Sequence, residues 1–227
     1  TGRRAILRIH AKGKPLTGDV DLDRIASETP GFCGADLENI MNEGAILAAR
    51  AERRVIGDSD LEEAVDRVLA GPERRTRIIT DQEKAIIAYH EAGHAVTAHA
   101  LASVDPVHKV TVIPRGVSGG HTRLLPGGDK QLWTETQMMD RLAFALGGMA
   151  AEKLIFGETT TGISNDLEQA TDVALKMVCE FGMSERIGPV VVRRHEGFGA
   201  HTREVSDHPV SDDTSAEIDR EVRRLVE

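Results

Sequence analysis

Residues 81–100 read DQEKAIIAYHEAGHAVTAHA. Thr80 ahead of them and Glu83 within them make a capping-box pattern, the usual start of a helix. Nothing breaks that helix until Asp105-Pro106, so it is expected to reach about Leu101. Inside it, His90-Glu91-Ala92-Gly93-His94 sets two histidines four residues apart. Four residues turn an α-helix by about 400°, which leaves the two imidazoles ~40° apart on one face. They can share one metal ion, and imidazole nitrogen suits Zn²⁺. A catalytic zinc takes three protein ligands and keeps its fourth position for water, whose pKa falls towards neutrality. Glu91, beside the first histidine, can take that water's proton. The bland alternative is coincidence in an alanine-rich helix. Ligation is favoured because two unpaired histidines and a glutamate on an otherwise apolar helix are costly to bury.

The third ligand does not follow from spacing. The extended metzincin motif is absent, because Thr97 and Ala100 stand where its glycine and last histidine belong. His99 lies nine residues after His90, half a turn round the helix, and faces the other side. Three acids downstream remain: Glu152 on a helix, Asp166 at a helix start after the threonine-rich stretch Thr159 to Ser164, and Asp172 within that helix. Each has an ordinary role open to it, respectively a structural partner, a helix N-terminal carboxylate and a solvated charge.

Outward from residues 81–100 the pattern is mainly α with a small β-sheet. The first seventy residues give short helices punctuated by Gly13 and Pro15 and by Thr29-Pro30-Gly31. A helix from about Ala35 to Arg53 carries Leu37, Ile40, Met41, Gly44, Leu47 and Ala48 on one face. A second, with Ser59 and Glu62 as a capping box, carries Leu61, Ala64, Val65, Val68 and Leu69 and ends at Gly71-Pro72. The charged run Glu73 to Arg77 reads as a linker, which places an all-α domain over 1–72 and a second domain over 73–227. In that second domain Lys109 to Pro114 and His121 to Leu125 read as a strand pair, joined through the glycine-rich loop Gly116 to Gly120. Further helices are expected from Thr134 to Gly157, where Gly147-Gly148 permits close helix approach, and through Leu167 to Val178. Pro189 to Val192 is a candidate strand, and Ser215 to Glu227 a last helix. Both ends read as cut from something longer, with the second domain truncated at its C-terminus.

Composition excludes several classes. The 227 residues hold 37 Asp plus Glu against 28 Lys plus Arg, a formal net charge of -9, so no basic footprint for nucleic acid exists. No apolar run approaches the roughly 20 residues that span a bilayer. Cys33 and Cys179 are far apart and read as reduced cap or core residues.

Several ordered stretches, TPGFCGADLENIMNEGAILAAR (29–50), AYHEAGHAV (88–96), DPVHKVTVIPRG (105–116), TTGISNDLEQAT (160–171), FGMSERIGPV (181–190) and SAEIDREVRRLVE (215–227), together resemble the FtsH family of ATP-dependent zinc metalloproteases over essentially the whole length. The resemblance implies an all-α AAA+ lid followed by a mostly helical protease domain. It implies a membrane-anchored homo-hexamer that unfolds and degrades unfolded or membrane polypeptides processively, its catalytic part on the cytoplasmic side of the bacterial inner membrane or an organelle equivalent. It implies one Zn²⁺ per chain held by His90, His94 and Asp166, with Glu91 as base, and so chooses Asp166 among the three acids and leaves Glu152 a structural role. His10, Gly34 and Ala35 match lid positions beside bound nucleotide.

Departures from the family pattern qualify these expectations. The sequence contains no G-x-x-x-x-G-K-[ST] loop and no Walker B acids, so ATP and Mg²⁺ belong to the full-length protein, and the membrane is reached through an anchor outside this sequence. Cys33 replaces the usual serine, and Ser118-Gly119-Gly120-His121-Thr122 replaces a more apolar segment. Gly120, His121, Thr122, Arg123, Leu124 and Leu125 form a short stretch ending at Pro126, which reads as an edge strand that can accept an extended substrate peptide. The rival readings are a catalytically silent substrate-holding scaffold, against which the intact His90, Glu91, His94 and Asp166 argue, and a zinc hydrolase acting on something other than peptides.

Overall fold

The computed structural model describes residues 2–73, 79–115, 119–128, 130, 132–192 and 210–227. Most of the expected linker over Glu73 to Arg77, and Gly116 to Ser118 of the glycine-rich loop, lie outside the described residues. Its element order is α1 (Gly2–Ala11), α2 (Leu22–Glu28), α3 (Gly34–Arg50), α4 (Asp58–Ala70), α5 (Asp81–Ala100), β1 (Val107–Thr111), β2 (His121–Leu124), α6 (Glu135–Phe156), a 3₁₀ turn (Thr161–Ile163), α7 (Ser164–Cys179) and α8 (Asp212–Val226). The mainly α class with one small sheet is borne out. The chain forms two compact units, Thr1–Glu91 with Asp105–Gln131, and Ala92–Val104 with Leu132–Glu227.

In the first unit the apolar faces of α1 to α4 meet in one core, with Leu7, Ile25, Leu37, Ile40, Met41, Leu61 and Val65 all fully buried. Each such side chain contributes about 2 kcal/mol relative to exposure, so this core is the main stabiliser of the unit. The expected cap of α4 is corrected. The helix starts at Asp58, and its N-cap is Gly57, two residues before Ser59; the Gly57 N–H donates to Asp60 Oδ2 at 2.9 Å. Asp60 also takes Arg53 through both oxygens at 2.6 and 2.5 Å, and this pair outcompetes the Ser59–Glu62 box. Glu62 instead receives Lys109 Nζ at 3.0 Å.

β1 and β2 pair antiparallel, Thr111 opposite His121, Val110 opposite Thr122, Lys109 opposite Arg123 and Val107 opposite Leu124, with the irregularity between Val107 and Lys109. β1 begins and ends earlier than the sequence suggests, because the Thr111 hydroxyl accepts the Ile113 N–H at 3.1 Å and turns the chain out of the sheet. The hairpin is held to α2 and α4 by charge. Lys109 Nζ lies 2.7 Å from Asp66 Oδ2, Arg123 lies 3.1 Å from Asp66 Oδ1 and 3.4 Å from Glu28 Oε2, and Arg115 grips Glu63 bidentately at 3.0 and 2.6 Å. Burial alone would raise the Glu63 carboxyl, but the hydrogen bonds from Arg115 and Arg67 outweigh it and hold Glu63 below the usual carboxylate range. His121 sits among Asp66, Arg115, Arg123 and Lys109, with its Nδ1 buried and unpartnered. Burial is the largest cause and pushes its pKa down; Asp66 opposes this, and Arg115, Arg123 and Lys109 add to the lowering.

In the second unit α6, α7 and α8 share a core of Met138, Leu142, Ala170, Ala174 and Met177, joined by Val222, Leu225 and Val226. Thr134 caps α6 with Gln137 at N3, and Gly157 ends it in the left-handed conformation (φ 76°) that glycine adopts without strain. Glu221 of α8 is buried, yet it receives Ser184 Oγ at 3.1 Å and two Arg224 nitrogens at 2.9 Å. The candidate strand over Pro189 to Val192 does not form. Val190 and Val191 are about half exposed, and the segment bonds instead to Gly188 and Cys179 carbonyls, because β-propensity without a partner strand stabilises nothing.

Two outcomes follow for stability. Replacing Asp66, which is fully buried and faces two cations, with asparagine is expected to cost about 3 kcal/mol in denaturant unfolding. His121 has a folded pKa below its unfolded value near 6.5, so the unfolded chain binds the extra proton and stability is lost as pH falls below about 6.5. Thermal midpoints measured from pH 7.5 to 5 should therefore decline in the native protein and decline less in His121→Asn.

Candidate metal centre

The second half of α5 crosses α6 at two glycines. A Cβ on Gly93 would lie 2.3 Å from the Gly147 carbonyl oxygen and 2.6 Å from the Ala151 Cβ, and one on Gly147 would lie 2.8 Å from Thr97 Oγ1. No side chain fits at either position, so the helices touch backbone to backbone. At that separation the buried His94 ring reaches the α6 main chain, with Nδ1 2.8 Å from the Phe144 carbonyl oxygen and the Phe144 ring at 5.4 Å. A carbonyl only accepts, so Nδ1 carries the proton and a neutral His94 turns a bare Nε2 lone pair outward. That Nε2 is 3.3 Å from Asp166 Oδ2. Two acceptors face each other at this distance only with a proton or a cation shared between them. The donor set therefore fits a metal ion.

His90 stands one turn before His94 on the same helix. Ligand atoms of His90, His94 and Asp166 all lie within 4.8 Å of one another, with His94 buried and the other two part-exposed. Two imidazoles and a carboxylate with a water-accessible side make the donor set of a three-ligand zinc site. Among the described residues no other group of three potential ligands forms.

Asp166 reaches this point because of the turn before α7. Glu152, 1% exposed, accepts the Thr160 N–H on Oε2 at 2.6 Å, and Thr160 Oγ1 accepts the Gly162 N–H at 3.2 Å. The buried carboxylate of α6 thus fixes the bend from which α7 starts, with Asp166 in its first turn. Asp172 pairs with Lys176 at 2.6 Å, and His99 is exposed. Of the three acids weighed from sequence, only Asp166 converges on the histidines.

Glu91, 5% exposed, faces the hairpin. Its Oε2 accepts the Thr122 hydroxyl at 2.8 Å, and that hydroxyl also lies 3.1 Å from the Glu91 carbonyl oxygen. Gly120 passes so close that a Cβ there would lie 2.9 Å from Glu91 Oε1 and 2.6 Å from the Thr111 carbonyl. His121 to Leu124 form β2, with Gly120 and Leu125 flanking it. Among the described residues the sheet has two strands, so the far edge of β2 has no strand partner. His10 lies in the last turn of α1, and Gly34 and Ala35 open α3 behind the Cys33 N-cap.

Comparison with known proteins bears on what this arrangement belongs to. The family model for peptidase family M41 matches residues 77–227, and that for the AAA+ lid domain matches residues 19–63. The chain belongs to peptidase family M41. It is 52% identical over its whole length to the ATP-dependent zinc metalloprotease FtsH 1 of Thermomicrobium roseum, and 51% identical to that of Sphaerobacter thermophilus. It is also 52% identical, over 99% of its length, to the ATP-dependent zinc metalloprotease FtsH of Kosmotoga olearia. The M41 chain spans about a third of the length of these curated relatives, 35% in each case. The FtsH resemblance read from the sequence is borne out. What sequence reading missed in this M41 centre is the Phe144 carbonyl, the Glu152 brace and the Thr122 contact. Gly147 was the one visible sign of the first.

The crossing yields a direct test. Gly93→Ala is expected to lower the thermal midpoint by several degrees and to weaken zinc retention by about tenfold or more, read by calorimetry and by titration against a chelator. An unchanged midpoint and unchanged zinc retention would show that the crossing does not hold the site.

Proposed function

We propose that this chain is the peptide-hydrolysing part, with the AAA+ lid, of an ATP-dependent zinc endopeptidase. The observation that carries the reading is the approach of His90, His94 and Asp166 to within 4.8 Å, with His94 Nδ1 committed to the Phe144 carbonyl. In this reading the three side chains hold one Zn²⁺. When bound, the ion supplies Lewis acidity, acidifying a water molecule and polarising a peptide carbonyl. Asp166 and the two histidines orient that chemistry, and the Phe144 carbonyl keeps His94 in the tautomer that ligates. Glu91 accepts the water's proton on a carboxylate oxygen while the water oxygen adds to the carbonyl carbon. Glu91 then returns the proton to the amine nitrogen as the C–N bond breaks.

The same reading extends to the rest of the molecule. An extended polypeptide adds to the far edge of β2, along Gly120 to Leu125, through main-chain hydrogen bonds that tolerate many side chains. The division into a lid over 1–72 and a peptidase domain over 73–227 follows the family resemblance. In the full-length protein ATP and Mg²⁺ bind beside His10, Gly34 and Ala35. The assembly is a homo-hexamer anchored in the membrane with its catalytic part on the cytoplasmic side, and its substrates are unfolded or membrane polypeptides. Among the described residues no helix is long and apolar enough to cross a membrane.

Glu91→Gln removes no ligand and is expected to keep zinc while lowering peptide hydrolysis by about 10²- to 10⁴-fold. His90→Ala should lose zinc and activity together, since two protein ligands hold the ion weakly. Zinc content by atomic absorption, measured beside cleavage of a casein-type substrate, separates the two. Near-normal turnover by zinc-loaded Glu91→Gln would overturn the assignment of Glu91.

A further inference from the structure

We propose that Thr122 is a positioning residue for Glu91, its hydroxyl holding the carboxylate in the orientation from which it moves the proton. The proposal rests on the reading of Glu91 as the base and adds to it a residue on a different element. Glu91 is 5% exposed and sits on a helix, where its long side chain has three torsions to fix. The last of these is broad and two-fold, so helix geometry does not select which carboxylate oxygen faces which way.

Thr122 supplies that selection. Its Oγ1 is 2.8 Å from Glu91 Oε2 and 3.1 Å from the Glu91 carbonyl oxygen. Both neighbours are acceptors, so the hydroxyl donates, and the shorter contact to a charged oxygen is the stronger one. The Thr122 hydroxyl thus lies against both the main-chain carbonyl and the carboxylate of Glu91 and bridges them like a clip. The backbone completes the frame, because Gly120 lies against Oε1 with no room for a Cβ. Threonine suits the position for a second reason. Its β-branched side chain has restricted χ1 freedom, so the hydroxyl is presented in one direction at small entropic cost.

The strand carrying Thr122 is itself fixed from the other side. The next residue, Arg123, points into the ion pairs with Asp66 and Glu28, and Val110 lies opposite Thr122 in the sheet. Alternation along β2 therefore sends Arg123 to the acids of α2 and α4, and Thr122 to Glu91. The clip has a rigid base.

The test compares Thr122→Val, which keeps the shape and removes the hydroxyl, with Thr122→Ser, which keeps the hydroxyl. In the zinc-loaded protein Thr122→Val should lower kcat about 10- to 100-fold, the range expected for losing a hydrogen bond to a charged group, with KM within about twofold. Thr122→Ser should restore most of the rate. Zinc content and thermal midpoint should match the parent protein in both variants, and a crystal structure of Thr122→Val should show the Glu91 carboxylate in more than one rotamer. On a Glu91→Gln background the valine substitution should have no further effect on kcat, whereas a general structural defect would lower it again.

Unchanged kcat in folded, zinc-loaded Thr122→Val overturns the proposal. If the valine variant does not fold, Thr122→Ala is compared with Thr122→Ser, and equal rates overturn it. Wild-type turnover by Glu91→Gln would overturn the base assignment instead, so the two failures are distinct.

Discussion

The backbone contact between Gly93 and Gly147 is the constraint on which the candidate metal centre depends. Zinc-type chemistry needs a histidine whose far nitrogen is already committed, and here that commitment is to a main-chain carbonyl in the middle of another helix. A mid-helix carbonyl is normally screened by the side chains around it. It becomes reachable only where two helices lie closer than side chains permit, which is what paired glycines achieve. The loss of helix propensity at both glycines, about 1 kcal/mol each, is the cost of a preset imidazole. The same crossing sets where α6 runs, hence where Glu152 stands, hence where α7 begins and Asp166 arrives.

The site is a composite of parts with different kinds of rigidity. His90 and His94 are related by helix geometry alone and would be found at this spacing in any α-helix. Asp166 depends on a turn, and turns need bracing, which Glu152 provides from a buried position. Glu91 depends on a strand, through Thr122. A residue buried with its charge satisfied by main-chain N–H groups or a hydroxyl acts here as scaffolding for its neighbours, and both Glu152 and Glu91 are of that kind.

Local signals in the sequence reported local structure well. The Thr80–Glu83 box, the Thr134 cap and Gly157 all mark helix ends where the structure has them, because capping involves residues a few positions apart. The choice between Ser59 and Gly57 as the start of α4 was not legible, since Arg53 lies seven residues from Asp60 and acts across a turn. The valines before Val192 carry a strand signal that no neighbouring strand among the described residues completes. In the site, the two histidines were legible from their period and Asp166 only by family likeness. Thr122 and Phe144 are 31 and 50 residues from their partners, and no periodicity encodes such contacts.

The charged seam between the hairpin and the lid helices has a consequence for heredity. Lys109, Arg115 and Arg123 answer Asp66, Glu63 and Glu28 across some forty to ninety-five residues of chain. A recombinant whose two halves did not carry matching charges at these positions would leave one half of this lock without its key, and an unmatched buried charge is far costlier than a matched pair is favourable. The lid helices and the hairpin thus make one charged lock, whose two halves have to be exchanged together for the pairing to survive.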